Sequence, residues 1–286
     1  MNNILESGII NLDKPIGPTS HKVCEYVKKI LPVGKVGHSG TLDPKATGVL
    51  PIGINQATRI LELTLLMPKE YVGVMRLHSD VAINKLRATI KKKFLGKIRQ
   101  IPPRKSAVVR KERERDIYEF KILEKNGREV LFRVKCEAGT YVRKLIDDLG
   151  KSLGIGAHML ELRRTAVGNF SEKNSVTLYE LTMAYEEFKK GNDKKLRKII
   201  LPLESAVEAL PKISVDEEGA EKLKKGMFIY ASEISKAGKF EAELVAVFSN
   251  KKLICLGKTF FSNKELEKVR KKEPGKFVLR PVKVFV

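Results

Sequence analysis

Cysteine is scarce in this 286-residue chain: Cys24, Cys136 and Cys255 stand far apart, with no CxxC pair. Neither a disulfide framework nor a cysteine-based zinc site is indicated, and a reducing, cytoplasmic compartment fits. Histidine is nearly as rare. His21, His38, His78 and His158 show no ligand spacing, so no metal is expected. No apolar run approaches the roughly 20 residues that span a bilayer, which predicts no membrane partner. The opening residues MNNILESGIINLDK lack the basic start and apolar centre of a signal peptide. Low-complexity blocks are missing too. These absences leave a globular protein whose partners are read from what it does contain.

Acidic residues are outnumbered, 34 against 56 Lys and Arg, for a formal net charge of +22. Residues 211–286 carry 17 basic and 10 acidic side chains, so +7 lies there and +15 in residues 1–210. The excess is spread over both parts and is not a basic tail. Such a balance favours a polyanionic partner, most simply nucleic acid, over a surface kept basic for solubility alone. The length allows two domains with separate cores. A change of texture after Leu210 divides them at residues 1–210 and 211–286.

Residues 34–53, GKVGHSGTLDPKATGVLPIG, pack five glycines, two prolines and a single carboxylate between apolar ends. That composition predicts a long loop without a regular strand, because glycine frees the backbone and proline removes donors. Loops of this kind on a rigid scaffold carry binding and catalytic groups. Asp43 stands alone between Leu42 and Pro44, with His38 nearby. An acid so placed is either a turn-former or a reactive group.

Around this loop the periodicities are clear. Residues 8–12 read as a buried strand, and Thr19 or Ser20 caps a helix running to about Leu31. Residues 55–66 and 82–95 read as amphipathic helices. Between them KEYVGVMRL is a strand with apolar residues on both faces. Tyr118, Phe120 and Ile122 alternate, Asn126-Gly127 turns, and Val130, Phe132, Val134 and Cys136 alternate again, which predicts a hairpin. Thr140 then caps a helix that buries Val142, Leu145, Ile146 and Leu149, leaving Arg143 off the stripe and within reach of Asp147. Helices follow at 178–190 and 194–208. Beyond Pro211, short strands at 227–231, 244–248, 253–260 and 277–286 predict a small β-barrel.

Taken in order, LDKP at 12–15, HSGTLDPKATGVL at 38–50, KEY at 69–71, GTYVR at 139–143 and LRRT at 162–165 resemble the motifs of the TruB/dyskerin family of pseudouridine synthases. The C-terminal part resembles a PUA domain, matching at Gly226 and departing around Ser232-Glu233. Together they are similar to the dyskerin-like branch. The resemblance implies an α+β pseudouridine synthase fold over residues 1–210, a mixed, mostly antiparallel sheet with flanking helices. It implies a PUA-like RNA-binding barrel over 211–286. Asp43 would be the catalytic carboxylate, Tyr71 would meet the uracil, and a buried Arg143 would orient Asp43. His38, Lys14, Tyr141 and Leu162 would contact RNA or uracil. The implied substrates are the T-loop uridine of tRNA and rRNA. The implied partners are box H/ACA guide RNA and small ribonucleoprotein accessory proteins. Arg163 and Arg164 hold either structure or phosphate, and the sequence leaves that choice open.

Turning uridine into pseudouridine gains and loses no atoms and involves no redox change, so no cofactor is expected. One carboxylate suffices, by attack on the base, attack on the sugar, or removal of a ribose proton. Two other classes compete. A non-catalytic RNA-binding assembly factor would tolerate loss of Asp43, and a glycosidase would need a second acid that no convincing position supplies.

Overall fold

The computed structural model describes residues 4–102, 109–238 and 244–285. The chain divides into two compact units, Met1–Leu201 and Pro202–Val286. The first runs β1 (Ser7–Lys14), α1 (Ser20–Ile30), β2 (Val36–His38), β3 (Thr47–Asn55), α2 (Leu61–Leu66), β4 (Lys69–Leu77), α3 (Ile83–Lys93) and β5 (Gly96–Gln100). It continues through β6 (Arg113–Asn126), β7 (Glu129–Cys136), α4 (Val142–Ser152), β8 (Ala157–Val167), β9 (Phe170–Ser171), α5 (Leu178–Lys189), α6 (Lys194–Ile199) and β10 (Ile200–Leu201).

Its strands form one sheet in the order β10-β1-β3-β8-β4-β7-β6-β5, with β2 beside β3 and β9 beside β8. The strand pairs are antiparallel except β3 with β8, which run parallel. This is the mixed, mostly antiparallel sheet with flanking helices that the sequence implied. Two apolar layers hold it. Leu86 and Ile90 of α3 and Val142, Leu145, Ile146 and Leu149 of α4 pack with Met75, Phe120, Phe132 and Val134. Val23 and Val27 of α1 and Leu181 of α5 pack with Ile10, Leu12, Leu50 and Ile52. The predicted hairpin closes with Asn126 opposite Glu129.

Several expectations are corrected. The glycine-rich stretch is not irregular throughout: β2 and the first seven residues of the nine-residue β3 lie within it. Glycine suits a strand crowded by neighbours, and a Cβ on Gly53 would stand 2.8 Å from the Ala57 carbonyl oxygen. The helix expected over 55–66 begins as a tighter turn at Gln56–Arg59 and becomes α2 only at Leu61. The helix expected over 194–208 stops at Ile199. Pro202 accounts for this, because the residue before a proline is pushed to extended backbone, and Leu201 instead pairs with Ile9 in β10.

The second unit contains β11 (Lys212–Val215), α7 (Glu217–Lys224), β12 (Ile229–Tyr230), β13 (Ile234–Ala237), β14 (Leu244–Ser249), β15 (Lys252–Thr259), α8 (Asn263–Lys272) and β16 (Phe277–Val284). The strand expected over 227–231 is only two residues long, and the end of the one expected over 277–286 lies outside the described residues. One sheet forms in the order β12-β16-β15-β14-β11-β13. Its edge strands are consecutive in sequence, β12 ending at Tyr230 and β13 starting at Ile234. Four residues reach at most about 14 Å, so the sheet must curl until its edges approach, as in a small barrel. Ile213, Val247, Ile254, Leu266 and Val278 fill its interior.

Candidate active site

Asp43 lies on the segment between β2 and β3, and the backbone of that segment is held at nearly every step. Ser20 is fully buried, and its hydroxyl accepts from the Leu42 N–H at 2.9 Å and donates to the Leu42 carbonyl at 3.2 Å. The Gly17 N–H donates to the Pro44 carbonyl at 2.9 Å, and the Ala46 N–H to that of Asp43 at 3.0 Å. The Lys14 ammonium, also fully buried, donates to the carbonyls of Pro15, Pro44 and Ala46 at 2.9, 3.3 and 2.8 Å. Arg164, 1% exposed, donates from Nε to the Val49 carbonyl at 2.7 Å and from Nη2 to that of Gly40 at 3.1 Å.

Local geometry explains how Arg164 gets there. Gly48 pairs with Arg164 where β3 and β8 run parallel. Gly48 has φ +100°, and a Cβ on it would stand 2.2 Å from the Arg164 carbonyl oxygen. Only glycine permits this approach.

The Asp43 carboxylate meets Arg143, with Nε to Oδ2 at 2.9 Å. The side chains are 59% and 47% exposed for Arg143 and Asp43, so the guanidinium is not buried as expected. It belongs to the first turn of α4, whose start is fixed by buried Gln100. The Gln100 side chain accepts from the Tyr141 N–H at 3.0 Å and donates to the Tyr141 carbonyl at 3.3 Å. Tyr141, not Thr140, therefore precedes the helix, and the Thr140 hydroxyl donates to the Glu137 carbonyl. Asp147 pairs with Lys144 and Lys151, not with Arg143.

Beneath the acid, Tyr71 sits in β4 opposite Arg164 and is 9% exposed. Burial pushes its phenol pKa up, the adjacent Arg164 guanidinium opposes that, and the Asp43 charge adds to the rise. Burial pushes the Lys14 ammonium down; Asp43 acts to raise it and Arg164 to lower it further. His38 is lowered by burial, then by Arg164 and His21. Its buried Nδ1 has no hydrogen-bond partner among the described residues. Leu162 lies opposite Gly73 and packs on the core from β8.

The structure thus gathers Asp43, Arg143, Tyr71, Lys14 and His38 around Arg164, with Tyr141 and Leu162 at the flanks. Lys14 departs from expectation. A fully buried ammonium engaged by three carbonyls holds the loop and has no surface to offer RNA. The two arginines of the pair also have different partners. Successive strand residues face opposite sides. Arg164 turns into the site, while Arg163 pairs with Asp13 at 3.0 and 2.8 Å and with Glu172 at 2.7 Å. Ser20 and Gln100 escaped sequence reasoning, because a buried hydroxyl or amide bonding backbone leaves no periodic signal. Among the described residues no group of three or more His, Cys, Asp or Glu is placed to hold a metal.

One exposed carboxylate on a pinned loop, with an arginine beside it and a buried phenol nearby, suits a class of enzyme whose chemistry runs through a single carboxylate. Comparison with known proteins gives that class its family. The N-terminal domain of TruB family pseudouridylate synthases matches residues 28–142, and the C-terminal domain of tRNA pseudouridylate synthase B matches 143–208. A probable tRNA pseudouridine synthase B of Methanothermobacter thermautotrophicus is 55% identical over 212 residues, 74% of this chain and 65% of that protein. The chain thus spans just under two thirds of that relative's length. Among solved structures, a Cbf5-Nop10-Gar1 complex matches with TM-score 0.90 and 43% identity, over 99% of this chain and 86% of that one. An H/ACA RNP bound to a substrate RNA containing 2′-deoxyuridine matches with TM-score 0.88 and 41% identity, over 99% and 86%. The chain belongs to the TruB family of pseudouridine synthases.

Proposed function

We propose that this chain isomerises uridine to pseudouridine in RNA with Asp43 as its catalytic carboxylate. The observation that carries the reading is the 2.9 Å pair between Asp43 and Arg143 on a backbone held by Ser20, Lys14 and Arg164. The target nucleotide leaves its stack to reach the half-exposed acid, as base-modifying enzymes require. The N1–C1′ bond breaks, the uracil turns, and C5 bonds to C1′. The proton on C5 leaves to solvent and N1 takes one up, so the overall change is an isomerisation. Asp43 serves as nucleophile or base in that sequence. Arg143 fixes its rotamer, Tyr71 and Leu162 bound the uracil pocket, and the partly exposed His38 ring and Tyr141 meet the nucleotide. Lys14 acts by positioning the loop.

The names of the relatives support tRNA as one substrate, and the H/ACA particle supports guided modification with guide RNA and accessory proteins of the Nop10 and Gar1 kind. The net charge of +22 supports an RNA partner. In this reading residues 1–210 catalyse, and the PUA-like residues 211–286 bind RNA. The location is cytoplasmic, in keeping with three free cysteines. No helix among the described residues is long and apolar enough to cross a membrane.

The test is tritium release from uracil carbon 5 of an unmodified tRNA transcript, comparing the parent with Asp43→Asn. Release by the parent alone is the expected result. Release by the variant at the parent's rate overturns the role of Asp43. If neither releases tritium, the assay is repeated with guide RNA and accessory proteins. Continued silence despite tight RNA binding leaves the non-catalytic assembly factor.

A further inference from the structure

Residues 81–111 hold eleven Lys and Arg and no Asp or Glu, so they supply +11 of the +15 counted over residues 1–210. Five of these cations, Lys85, Arg87, Lys91, Lys92 and Lys93, lie on α3, and all five are exposed. None of them forms an ion pair among the described residues. The acids of α4, which shares the apolar layer of α3, are engaged by Lys144 and Lys151. Helix stability does not account for all five. Cations favour a last turn, which suits Lys91, Lys92 and Lys93, but Lys85 stands in the first turn, where the helix dipole opposes it. Arg87 and Lys91 are four residues apart, a like-charge pair that weakens the helix. Neither a first-turn acid nor a side-chain cap compensates. The helix carries these charges at a cost to itself.

We infer that the outer face of α3 binds phosphates of the substrate RNA without reading its bases, an inference that rests on the RNA activity proposed above. The chemistry of the face selects this partner among anionic ones. Leu86 and Ile90 are buried in the core beneath α3, so no apolar side remains to enter a membrane surface. The outward positions Asn84, Lys85, Ala88, Lys91 and Lys92 present no aromatic or large apolar anchor, which a protein interface depends on. A phosphate backbone needs no such anchor, because charge supplies the affinity. Lys85 and Lys92 stand on one side of the helix seven residues apart, about 10 Å along its axis. They span more than one point of a polyanion. The surface is also fixed relative to the acid, since α3 and α4 pack in one layer and α4 carries Arg143 in its first turn.

The test is the affinity of the full chain for an unmodified tRNA transcript, followed by fluorescence anisotropy across about 0.1–0.5 M salt. The site variant combines Lys85→Gln, Lys91→Gln and Lys92→Gln. The control combines Lys189→Gln, Lys195→Gln and Arg197→Gln, the same loss of charge at cations paired with Glu186, Glu187 and Asp193. Each phosphate contact contributes about 0.7–0.9 to the slope of log affinity against log salt. Losing three should flatten that slope by about 2–3 and weaken binding by on the order of 10²-fold at about 0.1 M salt. The control should bind as the parent does. Glutamine matches lysine in helix propensity and the Arg87–Lys91 repulsion is gone, so the site variant should melt no lower than the parent. Affinity and slope unchanged in the site variant, or changed equally in the control, overturn the proposal and leave the cations to an acidic protein. A lowered melting temperature with unchanged affinity gives them a structural role and overturns it too. A parent that binds no RNA overturns the proposed function as well, whereas tight binding shared by parent and site variant overturns this inference alone.

Discussion

Replacing Ser20 by Ala removes one fully buried oxygen, yet it should cripple catalysis. The hydroxyl serves both backbone groups of Leu42, the residue before Asp43, and both residues are buried. A buried polar group left without its partner costs about 1–3 kcal/mol, so two left in place cost about 2–6 kcal/mol. The loop escapes part of that cost by shifting outward, at the expense of the Leu42 side chain, whose burial contributes about 1.5–3 kcal/mol. Either route destabilises by at least about 1.5 kcal/mol, and the second, which relieves the unpaired groups, moves the acid. A displacement of about 1 Å costs on the order of 10²-fold in rate. The assay is tritium release under saturating RNA, with urea denaturation and RNA binding measured in parallel. The expected result is kcat lowered about 100-fold, with RNA affinity within a factor of two. Thr19→Ala is the control. It removes the hydroxyl that accepts from the Lys22 N–H at the start of α1 and costs about 1 kcal/mol without touching the loop. A Ser20→Ala enzyme with normal kcat despite lost stability would refute the reasoning.

Gly48→Ala should destabilise by about 2–6 kcal/mol, from left-handed strain plus overlap with the Arg164 carbonyl, and a denaturation shift below about 1 kcal/mol would count against it. Arg143→Gln should change stability by less than about 1 kcal/mol, because the pair is exposed, while lowering kcat about 100-fold with little change in RNA affinity. Lys69 is buried, donates to the carbonyls of Thr64, Leu65 and Met67, and has its pKa pushed down to about 8, chiefly by burial. Over pH 8–9.5 the unfolded chain holds this proton more tightly than the native state, so Lys69 makes stability rise with pH. Urea unfolding across that window should show a steeper rise in the parent than in Lys69→Met, and equal slopes would remove Lys69 as the cause.

Much of this was legible in the sequence because periodicity reports burial. The α4 stripe of Val142, Leu145, Ile146 and Leu149 and the alternation either side of Asn126-Gly127 both appear as written. Illegible parts fail for physical reasons. The glycines of residues 34–53 depress strand propensity, yet in β3 they permit contacts that larger residues could not make. Pro202 ends a helical pattern that composition alone extends to residue 208. Asp43 and Arg143 are recognisable by motif, but their exposure is a property of the fold. Lys14 and Arg164 show the deepest gap, because a basic residue in an RNA-binding sequence reads as a phosphate contact until its burial is known.

That gap bears on how the site works. Lys14 and Arg164 place cations near Asp43, yet they donate to the carbonyls of Pro15, Pro44, Ala46, Val49 and Gly40. A buried cation bonded to carbonyls satisfies groups that a compact, proline-containing loop cannot pair with itself. Arg143, the arginine that bonds the acid among the described residues, is itself exposed. The buried cations therefore fix where the acid stands, and the exposed one fixes how it points. Both would be needed for a single carboxylate to meet a nucleotide in one orientation, since reacting groups must be held to within a fraction of an ångström. Ser20→Ala and Arg143→Gln disturb those two functions separately. Their combined effect on kcat should fall short of the product of the single effects, because an acid already displaced gains little from being oriented.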